Sequence, residues 1–180
     1  VTIVYPSWWE GGRWDVEELL DDVFTFTSNK AADGLSGLKV EPFMTSTSDR
    51  EKHLADGGGY LLVHRVGGHF VRGQRNDVDE SIMQLGGLTA SRHESNNLMS
   101  YVTDVLNGYE DGGTVFRSPK YVHPSGLSTT FMKVPGEVVG PQLVPASFQD
   151  ERMCPAMWNI HVDRPRGLPD TREALGLIND

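Results

Sequence analysis

"RNDVDESIMQLGGLTASRHESNNLMSYVTDVLNGYEDGG", residues 75–113, sets the architecture of the chain. Its carboxylates open a strand-like run over 77–85, and Gly86 and Gly87 then allow the backbone to leave that strand. Ser91 and Glu94 have the spacing of a capping box, in which the two side chains satisfy backbone N–H groups at a helix start. Leu98, Tyr101, Val102, Val105, Leu106 and Tyr109 recur at intervals of three and four, so 91–108 reads as a helix with one apolar face. Arg92, Asn96, Ser100 and Asp104 fall on the opposite face, toward water or a neighbour. A strand that hands over to an amphipathic helix implies a sheet with helices laid on it.

The flanking sequence repeats these signals. Asp15 and Glu18 form a second capping box, and Val16, Leu19, Leu20, Val23 and Phe24 predict an amphipathic helix over 15–28. "LKVEPFM" (38–44) reads as a strand, with Leu38 and Val40 opposite Lys39 and Glu41. Residues 45–59 combine Ser, Thr and charge with three consecutive glycines and read as a loop. "YLLVHRV" has the near-continuous apolar character of a central strand, and 60–85 reads as one long hairpin. In 111–145, short β-favouring pieces alternate with Gly and Pro, giving long loops and at least one hairpin with its tip near 124–126. In the last strand, 156–162, Trp158, Ile160 and Val162 share one face and Met157, Asn159 and His161 the other. "DRPRGLP" is stiffened by Pro165 and Pro169, and Asp170 with Glu173 starts a short terminal helix.

The expected fold is therefore α+β, a two-layer domain whose mixed or mainly antiparallel sheet packs against two amphipathic helices. A single domain spans 1–162, with long loops at 45–59 and 111–145. Residues 163–180 form a linker and short helix suited to assembly contact.

Composition narrows the function. At 38% hydrophobic residues the chain can build a core, and 20 Gly with 10 Pro promise long connections. The net charge is −9, with 8 basic against 14 acidic residues in 1–90 and 8 against 11 in the rest. An excess in both halves disfavours nonspecific binding to a nucleic-acid backbone, though an acidic channel that repels DNA is compatible with it. Cys154 is the single cysteine, too few for an intrachain disulfide, and its apolar surroundings suit a small buried hydrophobe. No apolar run reaches the roughly 18 residues that span a bilayer, so no membrane partner is expected and the cytoplasm is the expected compartment.

Sites of chemistry are sparse. Asp77, Asp79 and Glu80 could hold a hard cation or act as acid and base, but no Asp-rich metal loop accompanies them. A surface role, with salt bridges to Arg72 or Arg75, is the expectation. The six histidines form no short-spaced ligand pair, so no metal site is expected. "GGGY" at 57–60 runs into a strand without the Lys and Ser/Thr of a phosphate loop, and Ser125, His123 and Asp150 carry no triad signal. No catalytic residue, metal or cofactor is assigned, and the chain is expected not to be an enzyme.

Assembly has more to work with. Trp8, Trp9 and Trp14 cluster near the start, and rings of that size suit either the core or a subunit interface. Asp77, Asp79 and Glu80 join them as interface candidates, as do Arg164, Arg166, Leu175 and Leu177 in the terminal segment.

"YLLVHRVGG", the 75–113 stretch and "DERMCPAMWNIHVDRPRGLP", taken in order, resemble the tail terminators and related head-to-tail connectors of siphophages, especially those of actinobacteria. The resemblance covers about 60–165. It implies a tail-terminator-like α+β fold, assembled as a homohexameric ring at the virion neck, the head-tail junction. Such a ring caps the tail tube protein, presents a surface to a head-side connector or stopper protein, and lets DNA pass through its lumen without sequence recognition. A stopper or a minor tail protein is the alternative within the same structural class. The segment 111–150 is longer than this pattern requires, and the Trp-rich start is not demanded by it.

Overall fold

A computed structural model of the chain describes residues 3–7, 13–43, 46–71, 78–121, 126–141, 152–164 and 175–176. Among them are three α-helices, α1 (Val16–Thr25), α2 (Thr47–Ala55) and α3 (Arg92–Asn107). Six strands form one sheet: β1 (Leu38–Glu41), β2 (Gly59–Val71), β3 (Val78–Leu88), β4 (Gly113–Phe116), β5 (Thr129–Val139) and β6 (Cys154–Asp163). The sheet order is β1-β2-β3-β6-β5-β4, with β1 parallel to β2 and every other pair antiparallel. The sheet is thus mixed, as expected, but three helices accompany it and not two.

One face carries the core. Leu61 and Val63 of β2, Met83 and Leu85 of β3, Met132 and Val134 of β5, and Trp158, Ile160 and Val162 of β6 are buried against Leu19, Leu20, Val23 and Phe24 of α1 and Met99, Val102 and Leu106 of α3. Alternation in β6 matches the sequence pattern, every second residue from Cys154 to Val162 being buried. Both long helices start where the sequence places them: Asp15 Oδ1 accepts from the N–H of Glu17 at 2.9 Å, and Ser91 Oγ from that of Glu94 at 3.2 Å. Helix α1 ends at Thr25, three residues early, because Phe26 turns to extended backbone. Tyr101 of α3 donates its hydroxyl proton to the Ala31 carbonyl and sets its ring edge-on to Phe24, tying the two helices together.

Two expectations are corrected. Gly86 and Gly87 do not end the strand but remain in β3, opposite Pro155 and Cys154 of β6. A Cβ on Gly87 would meet Met99 Cγ at 2.8 Å and the Ser95 carbonyl oxygen at 3.2 Å, so the missing side chain is what lets α3 lie close on the sheet. Gly87→Ala is expected to cost about 1–3 kcal/mol by overpacking, read as a lower denaturation midpoint with unchanged far-ultraviolet circular dichroism.

Residues 45–59, read as a loop, contain α2. Its composition hides it: TSDREKHLA carries one buried apolar residue, Leu54, which joins Tyr60 and Leu88 in a small separate cluster. Polar contacts do the rest. Ser46 caps the helix, His53 Nε2 lies 3.0 Å from the Gly37 carbonyl oxygen and 3.3 Å from that of Gly59, and Glu51 pairs with Arg152 at 2.8 Å. The Arg152 hydrogen bond holds the Glu51 carboxyl below its ordinary value. A depressed acid contributes stability above its unfolded pKa and loses it as pH falls through the folded one. Acidification below the ordinary Glu range should therefore raise amide exchange over 47–55 before it affects α3, and Glu51→Gln should abolish that pH dependence.

The expected tip at 124–126 lies outside the described residues except for Gly126, and the expected hairpin is present in 111–145 as the antiparallel pair β4 and β5. The stretch carries β4, a 3-10 turn at Pro119–Tyr121 and β5. The expected terminal helix from 170 lies outside the described residues except for 175–176, which form a turn.

Candidate assembly surfaces

The densest polar site lies where α1 meets the segment leaving β4. Helix α1 needs only one apolar stripe, so Glu18, Asp21 and Asp22 point sideways from it toward Arg117, Lys120 and Tyr121. Asp22 Oδ2 is 3.1 Å from Arg117 Nε, and both side chains are 1% exposed. The two are close in charge but not aligned for a hydrogen bond to each other. Burial pushes the Asp22 carboxyl up against the opposing pull of Ser118 and Arg117, and burial likewise lowers the Arg117 guanidinium. Cation–π contact offsets part of this cost: Arg117 Cζ lies 5.0 Å from the Trp14 ring centre and 5.5 Å from that of Tyr121.

Beside this pair, Asp21 Oδ2 accepts from Lys120 Nζ at 2.8 Å and from the Tyr121 hydroxyl at 2.6 Å. The hydrogen bond to Asp21 raises the Lys120 ammonium well above its ordinary value. Asn29 completes the join. Its side chain donates to the carbonyls of Asp22 and Phe116 and accepts from the Phe116 N–H, all at 2.8 Å. Residues far apart in the chain thus form one rigid block that carries the base of the connection to β5.

A second ionic site joins β2, β3 and the start of α1. Arg65 of β2 makes a two-pronged contact to Asp79 of β3, at 2.9 and 2.8 Å. The Arg65 backbone N–H donates to Glu17 Oε1 of α1 at 2.9 Å.

The residues singled out from sequence divide between these sites and the surface. Trp14 is in the core, 5% exposed, stacked on Arg117. Asp79 is 4% exposed and engaged by Arg65, neither Arg72 nor Arg75 being among the described residues. Glu80 stands on the sheet face away from α1 and α3, its carboxylate 3.4 Å from His69 across the hairpin. Arg164 follows β6 and lines a cavity of about 310 Å³ with Trp14, Phe131 and Asp163. Leu175 is 54% exposed. Trp8, Trp9, Asp77, Arg166 and Leu177 lie outside the described residues.

Sequence reading passed over Asp22, Arg117, Lys120 and Tyr121, whose role depends on partners about a hundred positions away. The signal was a third and fourth acidic residue on α1 beside its apolar stripe, which a buried cation can answer. Among the described residues no group of His, Cys, Asp and Glu converges to hold a metal ion. None of their helices is long and apolar enough to cross a membrane.

The model of one protein family, described as phage tail termination protein, matches residues 12–169. No curated protein matches the chain.

Proposed function

The chain belongs to the phage tail termination protein family, noncatalytic structural proteins of the virion neck at the head-tail junction, and from that premise we propose that it works as a closed ring of identical copies. The observation that carries the reading is the family match across nearly the whole sheet and all three helices. In this reading six copies cap the completed tail tube on one side and meet the head-side connector or stopper on the other. Cyclic symmetry repeats one contact until no open surface remains, so the free energy of action is interface burial and no turnover is required. The net charge of −9 suits a lumen through which DNA slides without adhering.

Residues 1–162 act as the ring-forming domain, and 163–180 as the segment that reaches a neighbouring copy. Glu80, on the sheet face away from α1 and α3, Arg164, at the end of β6, and the exposed Leu175 are the described candidates for contact, joined by Trp8, Trp9, Asp77, Arg166 and Leu177. The bonded block around Arg117 supports the reading by anchoring the base of the connection between β4 and β5. Cryo-electron microscopy of intact particles tests it. Six copies between the last tube ring and the connector are expected; a chain located elsewhere, or present as isolated monomers, rejects the ring.

A further inference from the structure

Each side of the sheet ends in a strand of only four residues. β1 pairs with 59–62 of β2, and β4 with 129–132 of β5. Among the described residues, no strand pairs with the outer sides of 63–71 in β2 or 133–139 in β5. These two stretches stand at the same height, because Gly67, Ile82, Asn159 and Gly136 occupy one row across the sheet. They also run in opposite directions. Two plain edges so placed would add copy to copy as an antiparallel sheet with no offset, and Val66, Val71 and Val138, all exposed, would favour it.

We propose that both edges are closed to strand addition by another copy of this chain, each through the same combination of a bulge, a residue that disrupts the ladder and an edge N–H already occupied. On β2 the register slips between Arg65 and Gly67, and Gly68 follows at φ 113°, where a Cβ would lie 2.1 Å from the Glu80 carbonyl oxygen. The N–H of Arg65 turns away from β3 and is taken by Glu17 Oε1. On β5 the register slips between Lys133 and Gly136 and again between Glu137 and Val139, with Pro135 inside the first slip. The N–H of Val134 turns away from β6 and is taken by the Tyr109 carbonyl at 2.9 Å. A bulge bends the edge, a proline offers no donor, and a satisfied donor gains nothing from a new strand. Copies of the chain therefore meet through side chains and loops, and the sheet ends at each subunit boundary. Edge closure itself does not depend on the ring reading, and its test needs no ring.

The full chain is compared in solution with Glu17→Ala, Pro135→Val and the double variant, by sedimentation for association, by the infrared signature of intermolecular sheet for its type, and by thermal melting for folding. The double variant is expected to self-associate about tenfold more tightly than wild type, with a new intermolecular-sheet band, whereas Glu17→Gln, which keeps an acceptor for Arg65, stays at the wild-type level. A folded double variant with wild-type association overturns the proposal, as does an intermolecular-sheet band in the wild-type protein. If the double variant does not fold, Pro135→Val, at an exposed position, carries the test by the same two criteria. A wild-type ring without that band leaves both readings standing; absence of a ring with edge closure intact removes only the ring.

Discussion

Arg117→Ala is expected to lower stability by about 3–5 kcal/mol, a large share of the roughly 5–15 kcal/mol that a domain possesses. The loss comes less from a missing attraction than from Asp22, left as a carboxylate buried without its counter-charge. Trp14 and Tyr121 lose the guanidinium between them as well. Replacing both partners, as Asp22→Leu with Arg117→Met, should recover most of the loss, because removing the pair removes the desolvation penalty together with the attraction. Chemical denaturation of the two variants checks this, and a double variant no better than Arg117→Ala would show that the pair itself is favourable.

The same site has a pH signature. Burial raises the Asp22 carboxyl, so the folded chain takes up this proton before the unfolded one does. The stability contributed by such a group is fully present below the unfolded pKa and is lost as pH rises through the folded one. Removing Arg117 takes away one of the influences that lower that pKa, so it should rise further. The deficit of Arg117→Ala against wild type should accordingly shrink on acidification through and below the carboxylate range. A deficit that grows in acid would contradict the assignment.

Val102→Asp should be no milder. Val102 is fully buried in α3, in the core cluster it shares with the sheet and α1, with no cation among the side chains that form that core. Loss of the valine's burial and desolvation of a polar group together cost at least about 4 kcal/mol. Soluble yield and the cooperative thermal transition should both fall sharply. Asp at the neighbouring exposed position, as Ser100→Asp, should leave them near wild type and separates burial from a general effect of charge on the helix.

The capping boxes at Asp15 and Ser91 and the alternation of 156–162 made the two long helices and the last strand legible, because those signals are local, whereas the place of that strand in the middle of the sheet was not. Helix α2 was not legible, since TSDREKHLA has no apolar stripe and is held by His53 and by Glu51 with Arg152, contacts that no window of sequence contains. Gly86 and Gly87 were misread for a related reason: a glycine pair signals either a turn or a close approach, and only the position of Met99 decides. Asp79 looked like surface charge because its partner, Arg65, comes into reach only when the hairpin closes. The family was legible from the order of the segments, while the described interface candidates could be sorted into core and surface only once the sheet had been assembled.

The place of β6 has a consequence for how the chain comes to be folded. It is the last of the described strands in sequence, yet it lies in the middle of the sheet between β3 and β5. A growing polypeptide can form β1, β2 and β3 on one side and β4 with β5 on the other, but no strand pairing joins the two half-sheets until Cys154–Asp163 has been synthesised and inserted. Until then Met83, Leu85, Met132 and Val134 face an open slot that Trp158, Ile160 and Val162 later fill. Closure of the six-stranded sheet is thus deferred until β6 has followed the other five strands out of synthesis, which makes its pairings long-range and slow to form.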